Sequence, residues 1–191
     1  GGFSDISAVS IGGQQHGMVL LDQDGRVIRK ALLWNDTRSA STATELIEHF
    51  GAEYLVKNTG SIPVASFTST KVLWVARNEP ENASRIAAVC LPHDWLSWRL
   101  AGYGPAGESQ LGPDFSALAS DASDASGTGY FNPVTGEYLD EIWQFILGRM
   151  PVLPKIVKPG EWAYAQGAGA EFGIACGAGD NAAAGLGLGA D

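Results

Sequence analysis

Residues 6–17 read ISAVSIGGQQHG, an apolar run that ends in two glycines and a polar loop. The run from Ile6 to Ile11 predicts a buried strand, because short apolar runs bounded by turn residues are typical of strands with both faces covered. Residues 14–17 then lie at the carboxyl end of that strand, which is where ligands bind in open α/β sheets. The stretch therefore predicts an α/β fold and a first candidate binding loop.

A second loop of the same kind lies close to the end of the sequence. Residues 171–176 predict a strand, GAGDN at residues 177–181 predicts a tight turn, and residues 182–188 predict a closely packed helix. The alternative is a low-complexity tail, because this part of the chain is rich in glycine and alanine. Apolar residues such as Phe172 and Leu186 are interspersed among the small ones and favour the packed arrangement.

The rest of the chain alternates between predicted strands and helices. Strands are predicted at residues 18–21, 27–34 and 88–91, and helices at 40–50, 66–79, 81–87, 94–100 and 138–147. Residues 101–130 are predicted to be mostly loop, and residues 150–159, with three prolines, an extended surface connection. An Asp-Gly turn at residues 24–25 predicts an antiparallel hairpin, so we expect a mixed sheet with flanking helices.

Composition excludes several classes of protein. The 191 residues carry 12 Lys and Arg against 21 Asp and Glu, a net charge of −9 that argues against nucleic acid or an anionic membrane as partner. No apolar run is long enough to cross a bilayer. The two cysteines, Cys90 and Cys176, each lie in an apolar run and are expected to be buried and reduced, which indicates the cytoplasm. The scattered His and Cys residues predict no metal site.

Several polar residues at the predicted strand ends could carry chemistry. Asp180 could be a functional carboxylate or an ordinary cap at the start of a helix. His16 could face a ligand or be a satisfied loop histidine. Trp34 begins a segment that would suit a sugar, or that is an ordinary strand exit before a helix, and Asp121 and Asp124 are expected to be turn residues. The residues alone predict an α/β domain with a polar small-molecule site.

Six blocks of sequence occur in the order found in one enzyme family. They are SIGGQQHG at 10–17, ALLWNDTR at 31–38, SFTSTKVLWVARN at 66–78, LPHDWLSWRLAG at 91–102, SDASGT at 123–128 and GAGDNAA at 177–183. Together they resemble the FGGY family of carbohydrate kinases, and above all its xylulose-phosphorylating branch. The resemblance covers nearly the whole chain.

The resemblance implies two actin-like, ribonuclease H-like domains with a cleft between them. Residues 1–191 would be part of the N-terminal, substrate-binding domain, so that the fold is incomplete in this chain. The C-terminal ATP-binding domain and the nucleotide-binding loops would lie outside it. We therefore expect these residues alone to be inactive. The sequence leaves the oligomeric state open, with a homodimer among the options.

The family resemblance also implies roles for four residues. Asp180 would be the catalytic base, and Gln15, His16 and Asn181 would bind a small-molecule sugar, with ATP and Mg²⁺ as cofactors. The implied reaction is the conversion of D-xylulose to D-xylulose 5-phosphate. Gln15 stands where the branch has methionine, so a different ketose or polyol remains an alternative acceptor. A non-catalytic sugar-binding fragment is the rival hypothesis.

Overall fold

The computed structural model describes residues 5–165 and 169–189. The helices in these residues are α1 (Ala40–Phe50), α2 (Ala52–Thr59), α3 (Thr68–Asn78), α4 (Pro80–Ser84), α5 (Pro92–Leu100), α6 (Ala122–Ala125), α7 (Asp140–Leu147) and α8 (Asp180–Gly187). The strands are β1 (Ala8–Val9), β2 (Gly12–Gly13), β3 (Val19–Leu21), β4 (Ala88–Cys90), β5 (Ala119–Asp121), β6 (Phe131–Asn132), β7 (Glu137–Tyr138), β8 (Lys155–Val157), β9 (Trp162–Tyr164), β10 (Gly173–Ala175) and β11 (Ala178–Gly179).

The strands pair both parallel and antiparallel, so the predicted mixed arrangement is confirmed. In the three-stranded sheet β1-β10-β9, β1 and β10 run parallel, whereas β10 and β9 run antiparallel. The parallel pair β2–β11 continues from β1 and β10, and it joins Gly12 to Ala178 and Gly13 to Gly179. Two distant parts of the chain thus leave the sheet side by side.

Two hydrophobic clusters cover the opposite faces of the antiparallel pair β3–β4. Leu20 and Val89 belong to the cluster formed with helices α1, α2, α3 and α7. Their neighbours Leu21, Ala88 and Cys90 belong to the second cluster, which packs around Trp98 of α5. Because successive side chains point to opposite faces of a strand, a strand buried on both sides is apolar throughout.

Several predicted strands differ from the observed ones. Residues 6–11 are not buried as predicted: Ile6 is 38% exposed, and among the described residues β1 pairs with β10 alone. Residues 27–34 form isolated bridges at Val27 and Leu32 instead of a continuous strand. The prolines of residues 150–159 flank β8, which pairs in parallel with β5 inside the segment expected to be loop.

The helices were predicted more accurately than the strands, but three points differ. The short helix α6 lies inside residues 101–130, which were predicted to be mostly loop. Helix α2 was missed because Gly51, which ends α1 with φ 81°, also precedes a new helix. Helix α8 follows its strand as predicted but is not closely packed: none of its side chains is buried, and Leu186 is 79% exposed. Residues 166–168, 190 and 191, which flank this predicted unit in the glycine- and alanine-rich segment, lie outside the described residues.

Two further expectations concern thiols and membranes. Cys90 and Cys176 are both free, and Cys90 is buried as predicted, but Cys176 is partly exposed. Within residues 5–165 and 169–189, the search for a helix long and apolar enough to cross a membrane finds none.

Candidate functional site

The two candidate loops meet because the strands that precede them pair. Gly13 and Gly179 lie opposite each other in β2 and β11, and a cavity of about 300 Å³ opens beyond them. Its lining residues are Gln15, His16, Trp34, Ser66, Asp180 and Asn181. The structure therefore brings together all four residues that the sequence had singled out. Trp34, which begins the segment that the sequence also offered for a sugar, lines the same cavity and is 57% exposed. Ser66 is a lining residue that the sequence did not indicate.

Asp180 stands at the start of α8 with one carboxylate oxygen held in place. Oδ1 accepts hydrogen bonds from the backbone N–H groups of Gln15, at 3.3 Å, and Asn181, at 3.0 Å. The N-cap position belongs to Gly179, so Asp180 is not the ordinary cap that the sequence left as an alternative. Oδ2 accepts no hydrogen bond from the described residues. One oxygen thus fixes the carboxylate, and the other is free to act at the cavity.

The two amide side chains of the cavity orient each other. Asn181 Nδ2 donates to Gln15 Oε1 at 3.0 Å, and Gln15 Nε2 donates to the backbone carbonyl of Ser123 at 3.2 Å. The Ser123 hydroxyl also accepts a hydrogen bond from the N–H of Gly179 at 3.3 Å. A Cβ atom at Gly179 would lie 2.7 Å from Gln15 Nε2, so this close arrangement requires glycine. Each amide retains hydrogen-bonding capacity for a ligand.

His16 has a strained backbone conformation, and its ring is held by two contacts. Its φ of 65° is the one positive value at a non-glycine residue within the described ranges, a conformation that costs about 1–2 kcal/mol. The ring stacks on Phe67, with centroids 4.8 Å apart, and Nδ1 lies 2.5 Å from the carbonyl oxygen of Gly127. Because a carbonyl only accepts, Nδ1 carries a proton, and in that tautomer of the imidazole Nε2 is the acceptor.

A buried histidine packs against both strand ends. His93 is 1% exposed, and its side chain lies so close to Gly13 and Gly177 that a Cβ at either position would collide with it. Its Nδ1 lies 2.6 Å from Asp124 Oδ2, and its Nε2 lies 3.2 Å from Asp94 Oδ1. The His93–Asp124 contact ties α5 to α6, the helix that carries Ser123.

The electrostatics of this cluster keep the histidine protonated. Burial disfavours the charged ring, but the nearby carboxylates of Asp124, Asp94 and Asp121 outweigh it and raise the pKa of His93 to about 9. Burial also raises the pKa of Asp94 to about 7 and that of Asp124 above its usual range. At neutral pH, His93 is therefore a buried cation beside the backbone that carries the site.

The cluster corrects one part of the sequence analysis and confirms another. Asp121 is a turn residue as predicted, because its carboxylate accepts hydrogen bonds from the N–H groups of Ser123 and Asp124 and so caps α6. Asp124 is not: it is fully buried and faces His93, which is 31 residues away in sequence. Sequence reasoning missed His93 because a His-Asp pair at the start of a helix gives no local indication of a distant partner.

Residues 3–187 match the N-terminal domain of a known family, the FGGY family of carbohydrate kinases. This chain belongs to the FGGY family. It is 45% identical to the xylulose kinase of Streptomyces rubiginosus over 97% of the chain, and 34% identical to that of Escherichia coli over 97% of the chain. It spans 37% and 36% of the length of these two relatives.

Solved structures confirm the actin-like, ribonuclease H-like fold class predicted for the FGGY chain. The xylulose kinase of Bifidobacterium adolescentis superimposes with a TM-score of 0.90 at 45% identity, covering 98% of this chain and 44% of that one. The glycerol kinase of Plasmodium falciparum, solved with ADP, superimposes with a TM-score of 0.79 at 21% identity, which shows a common fold.

The search for side-chain clusters that could hold a metal ion covers the described residues of this chain. Among residues 5–165 and 169–189, no group of three His, Cys, Asp or Glu side chains is placed to hold a metal ion. Asp180 is the one carboxylate that lines the cavity. The chemistry considered below is therefore that of this chain's own side chains.

Proposed function

We propose that the protein containing this chain transfers the γ-phosphoryl group of ATP to D-xylulose and forms D-xylulose 5-phosphate. Two observations support the acceptor: the relatives at 45% identity are named xylulose kinases, and the cavity is lined by one indole and by polar side chains, among which Asp180 is the one carboxylate. A sugar is uncharged and rich in hydroxyl groups, so amides and a neutral imidazole are suitable partners for it.

The observation that carries the proposal is that the two carboxylate oxygens of Asp180 have different environments. Oδ1 is fixed by two backbone N–H groups, and Oδ2 has no partner among the described residues. In the proposed reaction, Oδ2 accepts the proton of the attacking sugar hydroxyl as its oxygen bonds to phosphorus and the bond to the ADP oxygen breaks. Phosphoryl transfer depends on such positioning of the nucleophile, together with neutralisation of phosphate charge, which Mg²⁺ supplies when bound.

The remaining lining residues would hold the sugar in place for this step. Nε2 of His16 would accept a hydrogen bond from one sugar hydroxyl. The amide side chains of Gln15 and Asn181 retain hydrogen-bonding capacity and would each bind a further hydroxyl. The exposed indole of Trp34 offers an apolar face for the C–H surface of the sugar. Gln15 and Asn181 already bind each other, so these side chains are preorganised and would lose less conformational entropy when the sugar binds.

The wider organisation is part of the same proposal. We place residues 1–191 within the N-terminal, substrate-binding domain and assign ATP and Mg²⁺ to a C-terminal domain outside this chain. The 191 residues alone would then not phosphorylate a sugar. The cytoplasm is the proposed location, since the reactants are cytoplasmic metabolites and both thiols are free. A homodimer is a proposal to be tested by the molar mass in solution.

An ADP-release assay of the full-length protein tests the function. We expect D-xylulose to give the highest kcat/KM in a panel of ketoses and polyols. A higher value for another member would assign the site to that sugar, and the Gln15 position would be the first place to look for the cause. Sugar binding by calorimetry with no ADP release from any member of the panel would contradict a kinase and favour a non-catalytic binding protein.

A further inference from the structure

Helix α3 carries a lysine that is completely buried. Lys71 has 0% exposure, and lysine is almost never fully buried without a charged partner. Within the described residues no carboxylate lies within 4.0 Å of it; instead its Nζ donates to the backbone carbonyls of His16, at 2.8 Å, and Ser66, at 2.6 Å. Burial lowers the pKa of Lys71 to about 8, and Asp36 acts in the opposite direction from a greater distance.

Both acceptors of Lys71 belong to the wall of the candidate cavity. His16 and Ser66 line it from two segments that are 50 positions apart in sequence. The ammonium group of Lys71 connects them. Thr68 adds a second donor to the His16 carbonyl, with Oγ1 at 3.2 Å. The strained backbone of His16 is therefore held at its carbonyl by two donors from the first turn of one helix.

Stability alone does not account for a charge at this position. An unpaired ammonium is costly to bury, whereas a methionine of similar length would fill the same space without that cost. Hydrogen bonds from a charged donor are short and strongly directional, which suits the fixing of a backbone in an unfavourable conformation. We propose that Lys71 is a positioning residue that fixes the His16 backbone, and through it the imidazole that faces the sugar.

This inference rests on the proposed function in one respect, that a sugar occupies the cavity. Lys71 itself does not line the cavity, so its effect must pass through the two wall residues whose carbonyls it holds, and the proposed route is the one through His16. In the full-length protein, we expect Lys71→Met to raise the KM for the sugar about tenfold, the size expected for a lost bond from a charged donor, with little change in kcat or in the KM for ATP. Lys57→Met, at an exposed lysine of α2, is the matched control and should change none of these values.

A double-mutant cycle separates positioning from general destabilisation. If Lys71 acts through His16, the tenfold rise should shrink to less than about twofold when Lys71→Met is made in a His16→Ala background. A rise that persists undiminished there would overturn the proposal, as would an unchanged KM for the single variant. If Lys71→Met fails to fold, Lys71→Gln, which keeps a neutral donor, replaces it in the same cycle.

A readout without catalysis keeps the inference distinct from the proposed function. Amide hydrogen exchange of residues 14–17 should be faster in Lys71→Met than in the wild type, while exchange in α7 is unchanged. Absence of sugar phosphorylation by the wild type would contradict the proposed function alone. Unchanged exchange in residues 14–17 would contradict the role of Lys71, whatever the wild-type activity.

Discussion

Replacing Asp180 by asparagine tests the chemistry most directly, because the structure separates what the change removes from what it keeps. The amide oxygen of Asn can accept the same two bonds, from the N–H groups of Gln15 at 3.3 Å and Asn181 at 3.0 Å. What disappears is the free oxygen: an NH₂ group, which cannot take a proton, occupies the place of Oδ2. The variant therefore retains the anchor of the side chain and loses its basic atom.

The size of the expected effect follows from this separation. Loss of a general base lowers the rate by about 10²–10⁴-fold, equivalent to about 3–5 kcal/mol of transition-state stabilisation. Asp180 is exposed and its anchoring bonds survive, so the free energy of unfolding should change by no more than about 0.5 kcal/mol. The KM for the sugar should change little, because the binding groups are intact.

The assay measures kcat and the melting temperature of the full-length Asp180→Asn protein. Asp140→Asn is the control, since Asp140 is also an exposed aspartate at the first position of a helix, α7, but lies away from the cavity. We expect wild-type kcat for the control. If Asp180→Asn also keeps kcat within a few-fold of wild type, Asp180 is not the base and the proposed mechanism is wrong.

Three further predictions concern the surroundings of the carboxylate. A Cβ at Gly127 would lie 2.8 Å from the His16 ring, so Gly127→Ala should displace the ring and raise the KM for the sugar. Gly12→Ala is the control and should leave this KM unchanged, because its Cβ would lie 3.5 Å from its nearest neighbour. Steady-state kinetics on both variants decides this. His16→Ala should weaken sugar binding by about 0.5–1.5 kcal/mol and leave ATP binding unchanged, and calorimetry with each ligand would show equal losses if the ring were only structural. The folded-state pKa of His93 is raised to about 9 from a usual value near 6.5, so its contribution to stability is full below about pH 6.5 and is lost as the pH rises through 9. Denaturant unfolding of the wild type should show this fall in the free energy of unfolding. The same fall in His93→Asn would refute the assignment.

The meeting of the two loops could be predicted from the sequence. Polar residues followed apolar runs at residues 14–17 and 177–181, and neighbouring parallel strands bring such ends together at one edge of a sheet. The structure places Gln15, His16, Asp180 and Asn181 around one cavity accordingly. The pattern succeeds here because it depends only on local hydrophobicity and on the direction of the strands.

The supporting contacts could not be predicted, because they are long-range and depend on burial. Lys71 lies in the block at residues 66–78 that carries part of the family resemblance, but no local pattern there indicates that its side chain is completely buried. The His93–Asp124 contact joins two blocks that each look like an ordinary helix start. The burial expected for residues 6–11 failed for a similar reason, since an apolar run does not reveal how much of its strand other segments cover.

The parallel pairing of β2 with β11 also bears on how the chain acquires its site. Asp180 binds the backbone of Gln15 across 165 positions, and closing a loop of that length costs about 4–5 kcal/mol in chain entropy. During synthesis, the first loop emerges long before its partner, so the cavity can form only after both segments have been made. If the proposed sugar binds there, it would stabilise the joining of these two distant segments by mass action.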